Sequence, residues 1–130
     1  MQGEQTIVIP HDSKILLVED SELNQIVVME FLKRMGLEAL MAENGKLALD
    51  IIEKEKPDII FMDIHMPEMD GIEAITQLRK KYHKDELPVI ALTADAFQEQ
   101  QDKTLYHGFN DIIVKPITSN VIKKTLTKYL

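Results

Sequence analysis

At 130 residues, with 45% hydrophobic and 28% charged side chains, the chain has the size and composition of one soluble globular domain able to bury a core unaided. The absence of cysteine excludes disulfides, thiolate zinc sites and thiol catalysis, and neither a membrane-length apolar run nor a basic-then-apolar leader is present, so a cytoplasmic setting without direct membrane contact is expected. A formal net charge of -7 disfavours phosphate backbones, and Lys123-Lys124 is too small a basic cluster to reverse that, so nucleic acid is not an expected partner.

Residues 1–13, with Gly3, Pro10 and scattered polar side chains, read as a tail or linker remnant; the triplet Ile7-Val8-Ile9 is too short and too close to Pro10 to count as a strand. The regular pattern occupies residues 14–130. Ile15-Leu16-Leu17-Val18 reads as a buried strand closed by Glu19-Asp20. Ser21 can cap a helix whose apolar positions are Leu23, Ile26, Val27, Phe31, Leu32 and Met35, stopped by Gly36. A more polar strand spans about Glu38 to Ala42, as an edge strand would. Asn44-Gly45 opens a second helix with Leu47, Ala48, Ile51 and Ile52 on one face, ended by Pro57.

Ile59-Ile60-Phe61-Met62 is a third buried run, and it ends in Asp63. Pro67 and Asp70-Gly71 mark a turn-rich loop, and Ile72, Ile75 and Leu78 form the inner face of the next helix. Val89 to Leu92 runs apolar up to Thr93. The helix from about Asp95 to Leu105 is sparse, with Ala96, Phe97, Leu105 and Tyr106 as its anchors. Ile112-Ile113-Val114 ends in Lys115-Pro116, and the last helix turns Ile117, Val121, Ile122, Leu126 and Tyr129 inward. Five strands alternating with five helices predict an α/β fold: a doubly wound five-stranded parallel sheet, flavodoxin-like in strand order 2-1-3-4-5, with helices on both faces.

In a parallel sheet the carboxyl ends of the strands share one rim, which collects Glu19-Asp20, Asp63, Thr93 and Lys115. Any one of them alone reads as a turn residue or cap; four strand ends in register point to chemistry. Neighbouring carboxylates repel unless a cation intervenes, and a hard divalent ion such as Mg²⁺ suits Glu19, Asp20 and Asp63. Lys115 and Thr93 suit the oxygens of a phosphoryl group. The set reads as metal-assisted phosphoryl transfer with Asp63 as the nucleophile. His65, with no partner at metal-ligand spacing among His11, His83 and His107, reads as a solvated loop histidine.

At these residues the chain resembles the response-regulator receiver domains of two-component signalling, from about Lys14 to its end. The matching pieces are Ile15 to Asp20, Met62 to Gly71, Pro88 to Ala94 and Val114-Lys115-Pro116; Asn24 and Ala91-Leu92-Thr93-Ala94 are most similar to receivers of hybrid sensor histidine kinases. The resemblance implies that Asp63 accepts a phosphoryl group from a phosphohistidine on a histidine kinase or histidine phosphotransfer domain. It further implies Mg²⁺ held by Glu19, Asp20, Asp63 and the main-chain carbonyl of His65, phosphoryl contacts from Thr93 and Lys115, and a cis bond before Pro116. Phosphoryl uptake and slow aspartyl-phosphate hydrolysis would be self-catalysed. A weak homodimer stays open, and no DNA-binding output domain is expected after the last helix. Ile112 stands where the family often has Tyr or Phe, and His65 and Asp95 stand where the family tunes phosphoryl lifetime. An Mg²⁺-dependent aspartyl-nucleophile phosphatase is the rival enzyme reading, although such enzymes typically place a second Asp where His65 stands. The fold class also admits a flavin carrier, against which the acidic loop after Val18 argues, and a pseudo-receiver that only binds, against which the complete set of site residues argues.

Overall fold

A computed structural model describes residues 9, 10, 12–66 and 70–130. Ile7, Val8 and the Pro67 part of the predicted loop lie outside the described residues. The apolar runs become strands because each is covered from both sides. β1 (Ile15–Val18), β3 (Ile59–Asp63) and β4 (Val89–Thr93) are buried along their whole length. β2 (Ala39–Ala42), one residue shorter than predicted, and β5 (Asp111–Val114) are partly exposed, as edges must be. All four pairings are parallel, in the order β2-β1-β3-β4-β5, so the predicted topology is the observed one.

Successive strand residues face opposite ways, and this alternation builds two cores. Leu16, Val18, Ile60, Met62, Val89 and Ala91 face α2 (Gly45–Lys54) and α3 (Gly71–Leu78). Ile15, Leu17, Ile59, Phe61, Ile90 and Leu92 face α1 (Glu22–Arg34) and α5 (Ser119–Tyr129). Ile9 also packs against this second core. Ser21, Asn44, Asp70 and Thr118 cap the four helices, each accepting a bond from a backbone N–H three residues on.

Two helices differ from the sequence expectation. α1 buries Gln25, Val28 and Leu32, while Leu23 and Ile26 are 71% and 60% exposed. At 100° per residue Ile26 lies about 160° around the helix from Val28, so both cannot face the sheet. The second, α4 (Gln98–Tyr106), starts later than expected because the Asp95 carboxylate accepts the Phe97 N–H at 3.0 Å, a local turn that competes with a first helical turn. Its expected anchors Ala96, Phe97, Leu105 and Tyr106 are all exposed, Phe97 at 77% and Tyr106 at 89%; the helix buries Thr104 instead.

The amino-terminal rim of the sheet is closed by Arg79, just after α3. Its guanidinium donates to the carbonyls of Gly108 and Leu87, each at 2.9 Å, to those of Tyr82 and His83 at 3.3 Å, and to Asn110 Oδ1 at 2.9 Å. Asn110 Oδ1 also accepts the Val89 N–H at 2.9 Å, and Asn110 Nδ2 donates to the Lys84 carbonyl at 3.0 Å. Gly108 has φ of +120°, and a Cβ there would stand 3.0 Å from Arg79 Cγ. Burial holds the Arg79 group down to about 10, still charged at neutral pH.

Candidate functional site

The opposite, carboxyl-terminal rim is where the four strand ends meet. β1 and β3 are paired with Val18 beside Met62, so the residues that follow them leave the sheet side by side. One carboxylate oxygen each from Glu19, Asp20 and Asp63 lies within 4.8 Å of the others; Glu19 and Asp63 are buried and Asp20 is exposed. No other such group of ligating side chains occurs among the described residues.

Lys115 reaches into this cluster from the end of β5. Its Nζ lies 2.9 Å from Asp63 Oδ2 and 3.2 Å from Glu19 Oε1. The peptide of Lys115 is placed by the bond from its N–H to the Thr93 carbonyl at 2.7 Å, and the Lys115-Pro116 bond is cis. Burial alone would lower the ammonium pKa, but the two carboxylates outweigh it and hold the pKa above its ordinary value. Three carboxylates against one ammonium leave two negative charges uncompensated.

Each acid has a distinct local hold. Asp63 Oδ1 accepts the backbone N–H of His65 at 2.8 Å, so His65 contributes its main chain while its ring is exposed. Glu19 Oε2 accepts the Ser21 N–H at 3.1 Å and Oε1 accepts Asn24 Nδ2 at 3.2 Å. Its pKa is pushed up to about 6, first by burial and then by the neighbouring Asp63, against the Ser21 bond and Lys115. Thr93 is buried, and its hydroxyl accepts the Asp95 N–H at 3.1 Å. Ile112, from the adjacent strand, is half-buried against the α2/α3 core.

Two further residues support the site without having been singled out from sequence for that work. Gln25 Nε2 donates to the Glu19 carbonyl at 2.6 Å. Gly71, read as a turn residue, is pressed against the main chain of Asp63 and Ile64: a Cβ on it would stand 2.6 Å from Ile64 Cα and 2.8 Å from the Asp63 carbonyl oxygen. Gln25 falls three and seven residues before Val28 and Leu32, and that helical spacing was the available signal for the first. Nothing local distinguishes Gly71 from an ordinary turn glycine.

The donor set fits a hard divalent cation: all-oxygen, multiply charged, one carboxylate open to solvent and two held by the fold. The chain is matched from residue 15 to residue 127 by the family model of the response regulator receiver domain. It is 40% identical over 119 residues to hybrid signal transduction histidine kinase H of Dictyostelium discoideum, covering 88% of this chain and 9% of that protein. It is 36% identical to sensor histidine kinase RcsC of Escherichia coli, covering 91% of this chain and 12% of the relative. Among solved structures it is similar to the receiver domain of sensor histidine kinase PA1611 from Pseudomonas aeruginosa, which has a magnesium ion coordinated in the active site cleft; the TM-score is 0.82 at 32% identity, covering 90% of this chain and 96% of the other. It is also similar, with TM-score 0.85 at 31% identity, to a chain in the Saccharomyces cerevisiae co-crystal of the histidine phosphotransfer protein Ypd1 with the receiver domain of its downstream response regulator Ssk1, covering 94% and 90%. The parallel sheet, its acidic rim and these likenesses lead to one family: the chain belongs to the response regulator receiver domains of two-component signalling.

Proposed function

We propose that this receiver, residues 14–130, takes a phosphoryl group onto Asp63 from a phosphohistidine on a histidine kinase or histidine phosphotransfer domain. The observation that carries the reading is the placement of the buried Asp63 carboxylate between Lys115 Nζ at 2.9 Å and the His65 N–H at 2.8 Å, with Glu19 and Asp20 beside it. A carboxylate oxygen attacks phosphorus as the phosphorus–nitrogen bond to the partner histidine breaks; the partner's imidazole retains the electron pair and takes up a proton. Lys115 is already aimed at the acceptor and offsets charge on the phosphoryl oxygens, and the Thr93 hydroxyl is the donor at the adjacent strand end.

Glu19, Asp20, Asp63 and the carbonyl of His65 would hold Mg²⁺, whose chemistry is to neutralise oxygens during the transfer. Because both oxygens of Glu19 and both of Asp63 already accept protein donors, the exposed Asp20 is the more available carboxylate. The resulting acyl phosphate would be hydrolysed slowly within the same site. The resemblance to hybrid kinase relatives supports a longer parent protein of that type, and the acidic net charge and lack of cysteine support a cytoplasmic phosphorelay role away from nucleic acid. Among the described residues no helix is long and apolar enough to cross a membrane.

Incubation with Mg²⁺ and acetyl phosphate, followed by intact-mass measurement under conditions that spare acyl phosphates, tests the reading. One phosphoryl adduct is expected on the native chain and none on Asp63→Asn. An adduct that survives the substitution, or multiple turnover on a small phosphate ester, overturns it, the second outcome in favour of a phosphatase.

A further inference from the structure

Glu19 and Asp20 are consecutive, yet both offer an oxygen to the same cluster with Asp63. In an extended strand consecutive side chains point to opposite faces, so the chain must leave the strand conformation between them. It does so directly after the last rung: the Glu19 N–H donates to the Ala42 carbonyl at 3.0 Å, and the chain bends at Asp20. The peptide joining the two acids then belongs to neither strand nor helix. Its carbonyl accepts Gln25 Nε2 at 2.6 Å, from a side chain buried on the inner stripe of α1 among Val28 and Leu32.

A buried polar side chain in an apolar stripe is costly unless its bonds are made, so its placement calls for a task. We propose that Gln25 is a positioning residue for the cation site: by holding the Glu19 carbonyl it fixes the peptide plane from which the Asp20 carboxylate is aimed at Asp63. Asn24, the preceding residue, holds the Glu19 side chain, so two adjacent residues of α1 divide the work between carboxylate and main chain. Gln25 touches neither acceptor nor phosphoryl group and acts through Glu19 and Asp20. The inference rests on the receiver reading of the site and adds to it a residue that sets cation affinity.

The test is magnesium binding by isothermal titration calorimetry, with the melting temperature read in parallel, on the native chain, Gln25→Met and Gln25→Leu. Both variants remove the donor and bring no charge of their own; leucine, which suits the apolar stripe of α1, stands in if methionine fails to fold. The magnesium concentration giving half saturation is expected to rise about tenfold in both, as for loss of other groups that orient metal ligands. Phosphoryl uptake from acetyl phosphate should recover toward the native rate at saturating magnesium. Leu78→Ala, at the far end of the sheet, should lower the melting temperature and leave the magnesium midpoint unchanged. Gln25 variants that melt lower with an unchanged midpoint overturn the inference alone and make Gln25 a packing residue. A native chain that neither gains stability from magnesium nor takes up a phosphoryl group overturns the receiver reading, and this inference with it.

Discussion

The two ends of one sheet are built on opposite electrostatic plans. At the amino-terminal rim the guanidinium of Arg79 is surrounded by carbonyls and the Asn110 amide oxygen, all of them acceptors. At the carboxyl-terminal rim three carboxylates crowd around one ammonium, and burial pushes Glu19 up to about 6. The first end ties α3, the entry to β4 and the approach to β5 into one body. The second holds like charges together at a cost that the rest of the fold must cover. On the proposed function, stability and reactivity are thus separated along the strand direction, and the repelling charges sit where a cation and a phosphoryl group would relieve them.

The largest way to break this contrast is at the satisfied end. Arg79→Met leaves several carbonyls without a donor and should cost about 3 kcal/mol, measured by urea unfolding. A loss under about 1 kcal/mol would mean that water replaces the guanidinium and that the rim is no clamp. At the reactive end, Gly71→Ala forces a methyl group onto the backbone of Asp63 and Ile64 and should cost about 2 kcal/mol. It should also slow phosphoryl uptake; full activity with native stability would show that α3 shifts freely.

The third prediction concerns pH and metal removal. Because the folded pKa of Glu19 lies above its ordinary value of 4.5, the metal-free fold loses stability as pH rises from 4.5 through about 6, where Glu19 ionises in the native state. A bound cation favours that ionised form, so the stabilisation by magnesium over a chelator-treated sample should grow across the same window and level off above it. An increment that is flat between pH 4.5 and about 7 would show that Glu19 is not coupled to the cation. The smallest effect is expected from Lys128→Met, which removes an exposed pair with Asp111 at 3.1 Å and should leave the urea unfolding midpoint nearly unchanged. A marked fall would mean that the amino-terminal rim depends on its surface pairs as much as on Arg79.

α1 and α4 show where reading by residue type stops. Leu23, Ile26, Phe97 and Tyr106 are apolar enough to be assigned to the core, and all four are exposed. Gln25 and Thr104 are polar enough to be assigned to solvent, and both are buried. Helical geometry selects a stripe, and the stripe takes whatever residues fall on it. On α4 the Asp95 turn moves the start of the helix and with it the stripe. His65 is instructive in the same way: its ring is exposed, and its contribution to the site is a backbone N–H that any residue but proline could supply.

By itself the amino-acid sequence determined the five buried or half-buried strands, their alternation with helices, and the acidic, hydroxyl and ammonium residues at the strand ends, because burial and strand termination act on short contiguous runs. The tertiary structure alone decided how close Glu19, Asp20 and Asp63 come on the rim where strand order collects them, that Lys115 lies between Glu19 and Asp63, and that Gln25, Gly71 and Arg79 make the contacts behind the two rims. Those contacts join residues brought together by strand order and by bends of the main chain, and their energies depend on ångström distances that no local pattern encodes.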